Sequence, residues 1–146
     1  MNKIIALLAV SLVSTAQAAV LLEKVSYPGF VMPSYALTKS CTLSDTGLLT
    51  QSYTLSGMNS KRNQTLVINK TAIVSNINQA ATGIVSSDIF PVDAPTISYR
   101  AYQKQANGTM KMITLYEENG GSGFKKTNSA VAAVTLKNFI DVNCDH

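Results

Sequence analysis

Residues 35–43 show the pattern of a half-buried β-strand, in which two sets of side chains alternate along the segment, and they are rich in residues that favour strands. Residues 48–56 are predicted as a second strand and residues 61–68 as a third. Two groups of turn-forming residues, 45–47 and 57–60, separate the three segments. Short turns between consecutive strands predict an antiparallel meander. The preceding residues, 19–34, contain Pro28 and Pro33 and predict an irregular arm with one short extended piece.

Residues 70–81 carry apolar side chains at helical spacing instead, at Ile73, Ile77, Ala80 and Ala81. Asn69 is a suitable N-terminal cap, and Gly83 lies where a left-handed helix terminator is expected. The β-branched residues of this segment leave a strand through Val74 as the competing interpretation.

The following stretch, residues 84–95, contains two prolines and predicts a surface loop. Residues 96–106 and 109–118 then flank Asn107-Gly108, a dipeptide typical of a two-residue hairpin turn. That turn would place Tyr102 opposite Ile113, and Tyr99 opposite Tyr116.

The clearest helix follows the glycine-rich residues 120–123, which end the last strand. It extends to about residue 143, and Thr127, Asn128 or Ser129 would cap it. One apolar stripe follows its length, formed by Ala132, Ala133, Leu136, Phe139 and Ile140. The resulting order, β-β-β-α-β-β-α, predicts an α+β domain: an antiparallel sheet of about five strands, with two helices packed on one face.

The N-terminus predicts export. A short positive start, Met1-Asn2-Lys3, precedes an apolar run over residues 4–13 and a small-x-small site, Ala16-Gln17-Ala18. Residues 1–18 are therefore interpreted as a signal peptide, and residues 19–146 as a single exported globular domain. About ten apolar residues are too few to cross a bilayer, which disfavours the alternative of an N-terminal anchor helix. The short start indicates a bacterial protein, secreted or periplasmic.

The two cysteines, Cys41 and Cys144, are expected to form one disulfide in an exported chain. A catalytic thiol is the alternative, and it would need a base. The sole histidine, His146, is the last residue of the chain. The sequence therefore favours the disulfide.

Composition narrows the class of function. The 146 residues are 46% hydrophobic and 14% charged, which suits one folded domain and excludes a disordered tail. The formal net charge is +4, or +3 without Lys3, and no basic and aromatic stripe is present, so nucleic acid is not an expected partner. Three Asn-x-Thr triplets, at Asn63, Asn69 and Asn107, are interpreted as chance matches in a chain rich in these residues.

Candidate chemistry is sparse. The sequence offers no placed histidine and no set of soft ligands, so no metal, cofactor or histidine-dependent reaction is expected. A hydrolase that relies on carboxylates alone is the least favoured function; it would draw on Asp45, Asp88, Asp93, Glu117 and Glu118. The glycine-rich loop with Lys125 and Lys126 could hold an anion, although a flexible connector with solvated lysines is the favoured interpretation.

Two loops remain as candidate binding surfaces for a protein partner, because glycines and prolines give them specialised backbone. Their residues are Gly120, Gly121, Ser122, Gly123, Lys125 and Lys126 in one loop, and Asp88, Pro91, Asp93 and Pro95 in the other. We therefore expect a small, disulfide-stapled exported binding module without enzymatic activity, with inhibition of an extracellular or periplasmic hydrolase as one specific form. A structural envelope or matrix component is the alternative. The oligomeric state is not specified by the sequence.

Overall fold

The computed structural model describes residues 18–144, so most of the predicted signal peptide lies outside the described residues. The chain forms eight strands and two α-helices, with a single 3-10 turn at Pro33–Tyr35. The elements are β1 Val20–Tyr27, β2 Leu37–Ser44, β3 Leu48–Leu55, β4 Met58–Thr65, α1 Lys70–Ala80, β5 Val85–Ile89, β6 Thr96–Lys104, β7 Met110–Asn119, β8 Phe124–Asn128 and α2 Val131–Cys144.

All eight strands belong to one antiparallel sheet in the order β4-β3-β2-β1-β6-β7-β8-β5. Both helices pack against each other and against the central strands. The α+β class, the antiparallel sheet and the two helices are confirmed. The predicted number of about five strands is wrong.

The first strand beyond the predicted five is β1, which occupies half of residues 19–34, where an irregular arm with one short extended piece is predicted. It lies at the centre of the sheet between β2 and β6. An irregularity in its pairing between Val20 and Leu22 leaves Leu21 and Leu22 both buried. Because a bulge breaks the period of two, the segment does not display the alternation of a strand.

The other two missed strands are β5, inside the predicted loop 84–95, and β8, beyond the glycine-rich residues. They pair with each other, with Asp88 opposite Lys125, and β5 forms one edge of the sheet. Every residue of β5 is exposed, so neither of its faces required apolar side chains. The pattern of hydrophobic residues therefore does not predict this strand.

Two predicted turns are displaced. The β3–β4 turn is the two-residue Ser56-Gly57, with φ of 49° and 80°, and not residues 57–60. Both residues occupy the left-handed region that a type I′ hairpin turn requires. The β6–β7 connection spans residues 105–109; the Gln105 amide donates to the Thr109 carbonyl (2.8 Å), and Gly108 has a φ of 83°.

The longer β6–β7 loop changes the hairpin register by one residue. Tyr102 is opposite Met112 rather than Ile113, which pairs with Ala101. An irregularity between Tyr99 and Arg100 then shifts the pairing back, so Tyr99 is opposite Tyr116 as predicted. This register directs Ala101 and Ile113 into the core.

Helix α1 begins as predicted, because the Asn69 side chain accepts a hydrogen bond from the Ala72 amide (3.0 Å). The prediction for Gly83 is wrong: its φ is not positive. A Cβ there would lie 2.0 Å from the Asn128 Oδ1 atom, so the glycine permits close approach of the chain that enters α2. Of the three capping candidates for α2, Asn128 accepts from the Ala130 amide (3.0 Å).

The core lies between the helices and one face of the sheet, and the disulfide Cys41–Cys144 joins β2 to the last turn of α2, as predicted. Four of the five predicted stripe residues of α2 are buried, and Phe139 packs against the core from a half-buried position. The largest fully buried side chains are Leu22, Leu43, Leu49, Ile77, Leu136 and Ile140.

The two ends of the sheet have different connections. We call one the turn end, formed by residues 45–47, 66–69, 105–109 and 129–130. The other is the loop end, formed by residues 28–36, 56–57, 90–95 and 120–123.

Candidate functional site

The loop end unites the two candidate loops that the sequence presents separately. The Phe90 amide donates to the Gly123 carbonyl (2.9 Å), and the Asp93 amide donates to the Gly120 carbonyl (3.1 Å). The strand pair β5–β8 extends this contact below the loops. All ten candidate residues therefore lie in or directly beside one continuous region.

Close backbone approach explains the glycines of the loop end. A Cβ on Gly120 would lie 1.8 Å from the Ala94 carbonyl oxygen, and one on Gly29 would lie 2.4 Å from the Asp93 carbonyl oxygen. Asp93 itself has a φ of 67°, a region that aspartate tolerates better than most residues. Gly29 thus brings residues 28–36 into the same surface, although the sequence analysis assigns them to a separate arm.

Large apolar side chains are exposed at the loop end. Phe30 is 92% exposed and Ile89, which ends β5 there, is 96% exposed. The remaining large apolar side chains that are mostly exposed in this region are Met32, Tyr35, Met58 and Val92. Extended exposed apolar surface on a folded protein typically marks an interaction site. The run Phe30-Val31-Met32 between two prolines was the available signal in the sequence.

Lys125 and Lys126 belong to β8, so the interpretation of a flexible connector with solvated lysines is wrong for them. The Lys126 ammonium lies 3.7 Å from Glu117 of β7. The Lys125 ammonium lies 5.4 Å from the centre of the Tyr116 ring. The strand pairing therefore fixes the positions of both charges beneath the glycine-rich loop.

The carboxylates proposed for hydrolysis are divided between the two ends. Asp45 is at the turn end, whereas Asp88, Asp93, Glu117 and Glu118 lie at or near the loop end. Glu118 accepts a hydrogen bond from the Tyr116 hydroxyl; burial, together with this bond, raises the pKa of Tyr116 to about 12. Among residues 18–144, no group of three or more His, Cys, Asp or Glu side chains is placed to hold a metal ion.

A pocket of about 390 Å³, which the sequence analysis missed, opens on the helix side of the sheet next to the loop end. The disulfide forms part of its wall, together with Lys24, Lys39, Gln51, Tyr53 and Ile97. These residues come from four strands, so no motif that is continuous in the sequence predicts the pocket.

Two successive hydrogen bonds through the buried Gln51 side chain stabilise the pocket wall. The Tyr53 hydroxyl donates to Gln51 Oε1 (2.8 Å), and Gln51 Nε2 donates to the Asn143 carbonyl (3.4 Å) at the end of α2. This last bond satisfies a carbonyl that the helix leaves without an intrahelical donor. Gln51 is thereby a buried polar residue with both ends of its amide bonded.

Opposite charges meet beside the pocket. The Asp141 carboxylate accepts from Lys24 Nζ (2.6 Å) and from the Tyr99 hydroxyl (2.8 Å). Burial acts to raise the pKa of Asp141, but these hydrogen bonds outweigh it and hold the pKa below its usual value. Lys39 forms no ion pair with any residue from 18 to 144. Lys39 is therefore the lining side chain whose positive charge is not balanced by a carboxylate among residues 18–144.

Comparison of the chain with protein-family models, with curated proteins and with solved structures finds no match. Within residues 18–144, neither helix has the length and apolar composition needed to cross a membrane.

Proposed function

We propose that this protein is an exported binding module without enzymatic activity and that the loop end is the surface that contacts its protein partner. The observation that carries the proposal is the union of both candidate loops with exposed Phe30 and Ile89 in one region. A few side chains supply most of the binding free energy in protein interfaces, and aromatic side chains such as phenylalanine are enriched there.

The scaffold beneath the loop end supports the same role. Hydrogen bonds join residues 90–95 to residues 120–123, and the Ser56 hydroxyl donates to the Ser34 carbonyl (2.9 Å). Loops that are already ordered lose less conformational entropy on binding. Inhibition of an extracellular or periplasmic hydrolase is the specific form we propose, because rigid exposed loops are suited to an enzyme cleft.

The test compares two single variants, Phe30→Ser at the loop end and Val67→Ser at the turn end. Both side chains are almost fully exposed, so neither change should lower the stability. The tagged proteins are incubated with the exported fraction of the native cells, and bound proteins are identified by mass spectrometry. We expect a partner that binds wild type and Val67→Ser but is lost with Phe30→Ser.

A panel of extracellular proteases and glycosidases, assayed with and without the protein, tests the inhibitor form separately. Inhibition that Phe30→Ser removes and Val67→Ser retains would support it. A partner that both variants bind equally would contradict the loop end as the binding surface.

A structural envelope component is the second candidate, and a specific observation favours it. Strand β4 is an edge strand with all eight residues exposed, and edge strands can pair with another chain. This function requires self-association through the edge, so sedimentation should show oligomers that grow with concentration. A strictly monomeric profile would contradict it and leave the binding module.

A further inference from the structure

The Asp45 carboxylate at the turn end joins the beginning of β1 to the beginning of α1. Its Oδ1 atom accepts a hydrogen bond from the Ala19 backbone nitrogen (3.0 Å), and its Oδ2 atom accepts from Lys70 Nζ (2.8 Å). The Asp45 amide in turn donates to the Ala19 carbonyl (2.8 Å). Residue 19 is therefore held on both its nitrogen and its carbonyl by one partner.

Ala19 is also the residue that follows the predicted cleavage site Ala16-Gln17-Ala18. We propose that hydrolysis between Ala18 and Ala19 turns the bonded amide nitrogen into an α-ammonium group that forms an ion pair with Asp45, so that the mature N-terminus becomes part of the fold. This inference rests on the predicted signal peptide and is independent of the partner.

The chemistry of the step is an ordinary peptide hydrolysis. Water adds across the Ala18–Ala19 peptide bond, the C–N bond breaks, and the water oxygen stays on the carbonyl carbon of Ala18. At neutral pH the released groups are the Ala18 carboxylate and the Ala19 ammonium. The signal peptidase of the export pathway supplies the catalyst, and water is the reactant that is consumed.

Cleavage strengthens a contact that the fold already contains. An amide offers Asp45 one neutral donor, whereas an ammonium offers three donors and a full positive charge. Asp45 is half-buried, and the hydrogen bond from Lys70, against the opposing effect of burial, already lowers its pKa. The carboxylate is thus ionised at neutral pH and positioned to receive the new charge.

The pH range of the ion pair follows from the two groups. The carboxylate should raise the pKa of the Ala19 ammonium above the usual α-amino value of about 7.7–8.0. The contribution to stability is then fully present below that usual value and is lost as the pH rises through the raised pKa. Among residues 18–144, Lys70 on α1 is the charged side chain that pairs with Asp45, so its contribution must be separated.

The first experiment is the intact mass and N-terminal sequence of the protein purified from the exported fraction. We expect a chain that begins with Ala19. A different first residue would overturn the proposal at the processing step, whatever the behaviour of Asp45.

The second experiment titrates the α-amino group of the mature protein by NMR, in the wild type, Asp45→Asn and Lys70→Gln. Asparagine keeps the shape and an acceptor oxygen but removes the charge. We expect a raised α-amino pKa in wild type and in Lys70→Gln, and an ordinary one in Asp45→Asn. Equal values in wild type and Asp45→Asn would overturn the ion pair even with the correct N-terminus.

If a variant is too unstable for the NMR titration, a measurement of stability against pH provides the test. In the Lys70→Gln background, the difference in urea midpoint caused by Asp45→Asn should shrink as the pH rises past the Ala19 pKa. A difference that does not change with pH would contradict the proposal.

Discussion

The turn end and the loop end of the same sheet differ in the kind of hydrogen bond that orders their connections. At the turn end, short connections are tied by Asp45 and Asn128, whose side chains bridge elements far apart in sequence. At the loop end, longer connections are ordered mainly by backbone hydrogen bonds and leave Phe30 and Ile89 exposed. The bonded polar side chains of the turn end act on the protein itself, whereas the loop end exposes an aromatic and several large apolar side chains.

Under the proposed function, this difference separates the residues that stabilise the fold from those that bind the partner. Asn128 is buried and fully bonded: its amide donates to the carbonyls of Ala80 and Thr114 (3.0 Å each) and its oxygen accepts from Ala130. One side chain thereby joins α1, β7 and the start of α2. No apolar side chain of similar size could satisfy these backbone groups.

The largest expected change in the free energy of unfolding comes from truncation of an apolar core side chain, and the matched change is truncation of an apolar side chain at the loop end. Leu136→Ala should lower the free energy of unfolding by about 3–5 kcal/mol, because a side chain that is 1% exposed leaves a cavity. Phe30→Ala should change it by less than about 0.5 kcal/mol. Urea denaturation measures both, and a large loss with Phe30→Ala would contradict the assignment of that residue to recognition.

The next largest effect is expected from removal of the Asn128 side-chain hydrogen bonds at the turn end. Asn128→Ala should cost about 2–4 kcal/mol, because the buried bond to the Ala80 carbonyl and the partly buried bond to the Thr114 carbonyl both lose their donor. The matched control is Asn63→Ala on the exposed strand β4, which should be close to neutral. Equal midpoints for the two variants in thermal denaturation would show that the Asn128 network is not structural.

A smaller effect depends on pH. Asp141→Asn should cost about 1 kcal/mol at neutral pH, a value reduced by the partial exposure of its ion pairs with Lys24 and Lys137. Because folding lowers the pKa of Asp141, this contribution is present above the unfolded pKa of about 3.9 and disappears as the pH falls through the folded pKa. Urea midpoints of wild type and Asp141→Asn should converge at low pH, and a difference that does not change with pH would contradict the role of these ion pairs.

The smallest effect on stability concerns the charges at the loop end. Replacing Lys125 and Lys126 with Gln should change the unfolding free energy by no more than about 0.5–1 kcal/mol, yet slow partner association and weaken its salt dependence. Replacing both with Glu should destabilise the fold further, because the new charges would be opposite Glu118 and Glu117. Stopped-flow association at two salt concentrations separates the two contributions, and an unchanged rate for the Gln variant would remove these lysines from the interface.

Most elements with a buried face were readable from the sequence, and the exposed strand β4 was predicted as well, although the structure places it three residues earlier than residues 61–68. The β2–β3 pair, both helices and the Asn69 cap each combine local propensity with apolar positions at the correct period. The disulfide followed from two cysteines and predicted export. By contrast, β5 is exposed throughout and β1 contains a bulge, so neither shows the period of a strand.

The candidate site was predictable only in part. Glycines and prolines indicated two loops with unusual backbone, and the structure retains both. Their union depends on the pairing of β5 with β8, and the pocket depends on side chains from four strands and the end of α2. Such proximity arises from long-range contacts that no local pattern encodes.

The sequence alone determined the class of fold, the covalent cross-link between Cys41 and Cys144 and the positions of the two helices, because these depend on local periodicity and on residue chemistry. The tertiary structure decided the width of the sheet, the register of the β6–β7 hairpin and the assembly of the loop end. It also decided that Ala19 lies against Asp45. The physical reason is that edge strands, bulges and ion pairs distant in sequence are selected by packing, which acts only when the whole chain is folded.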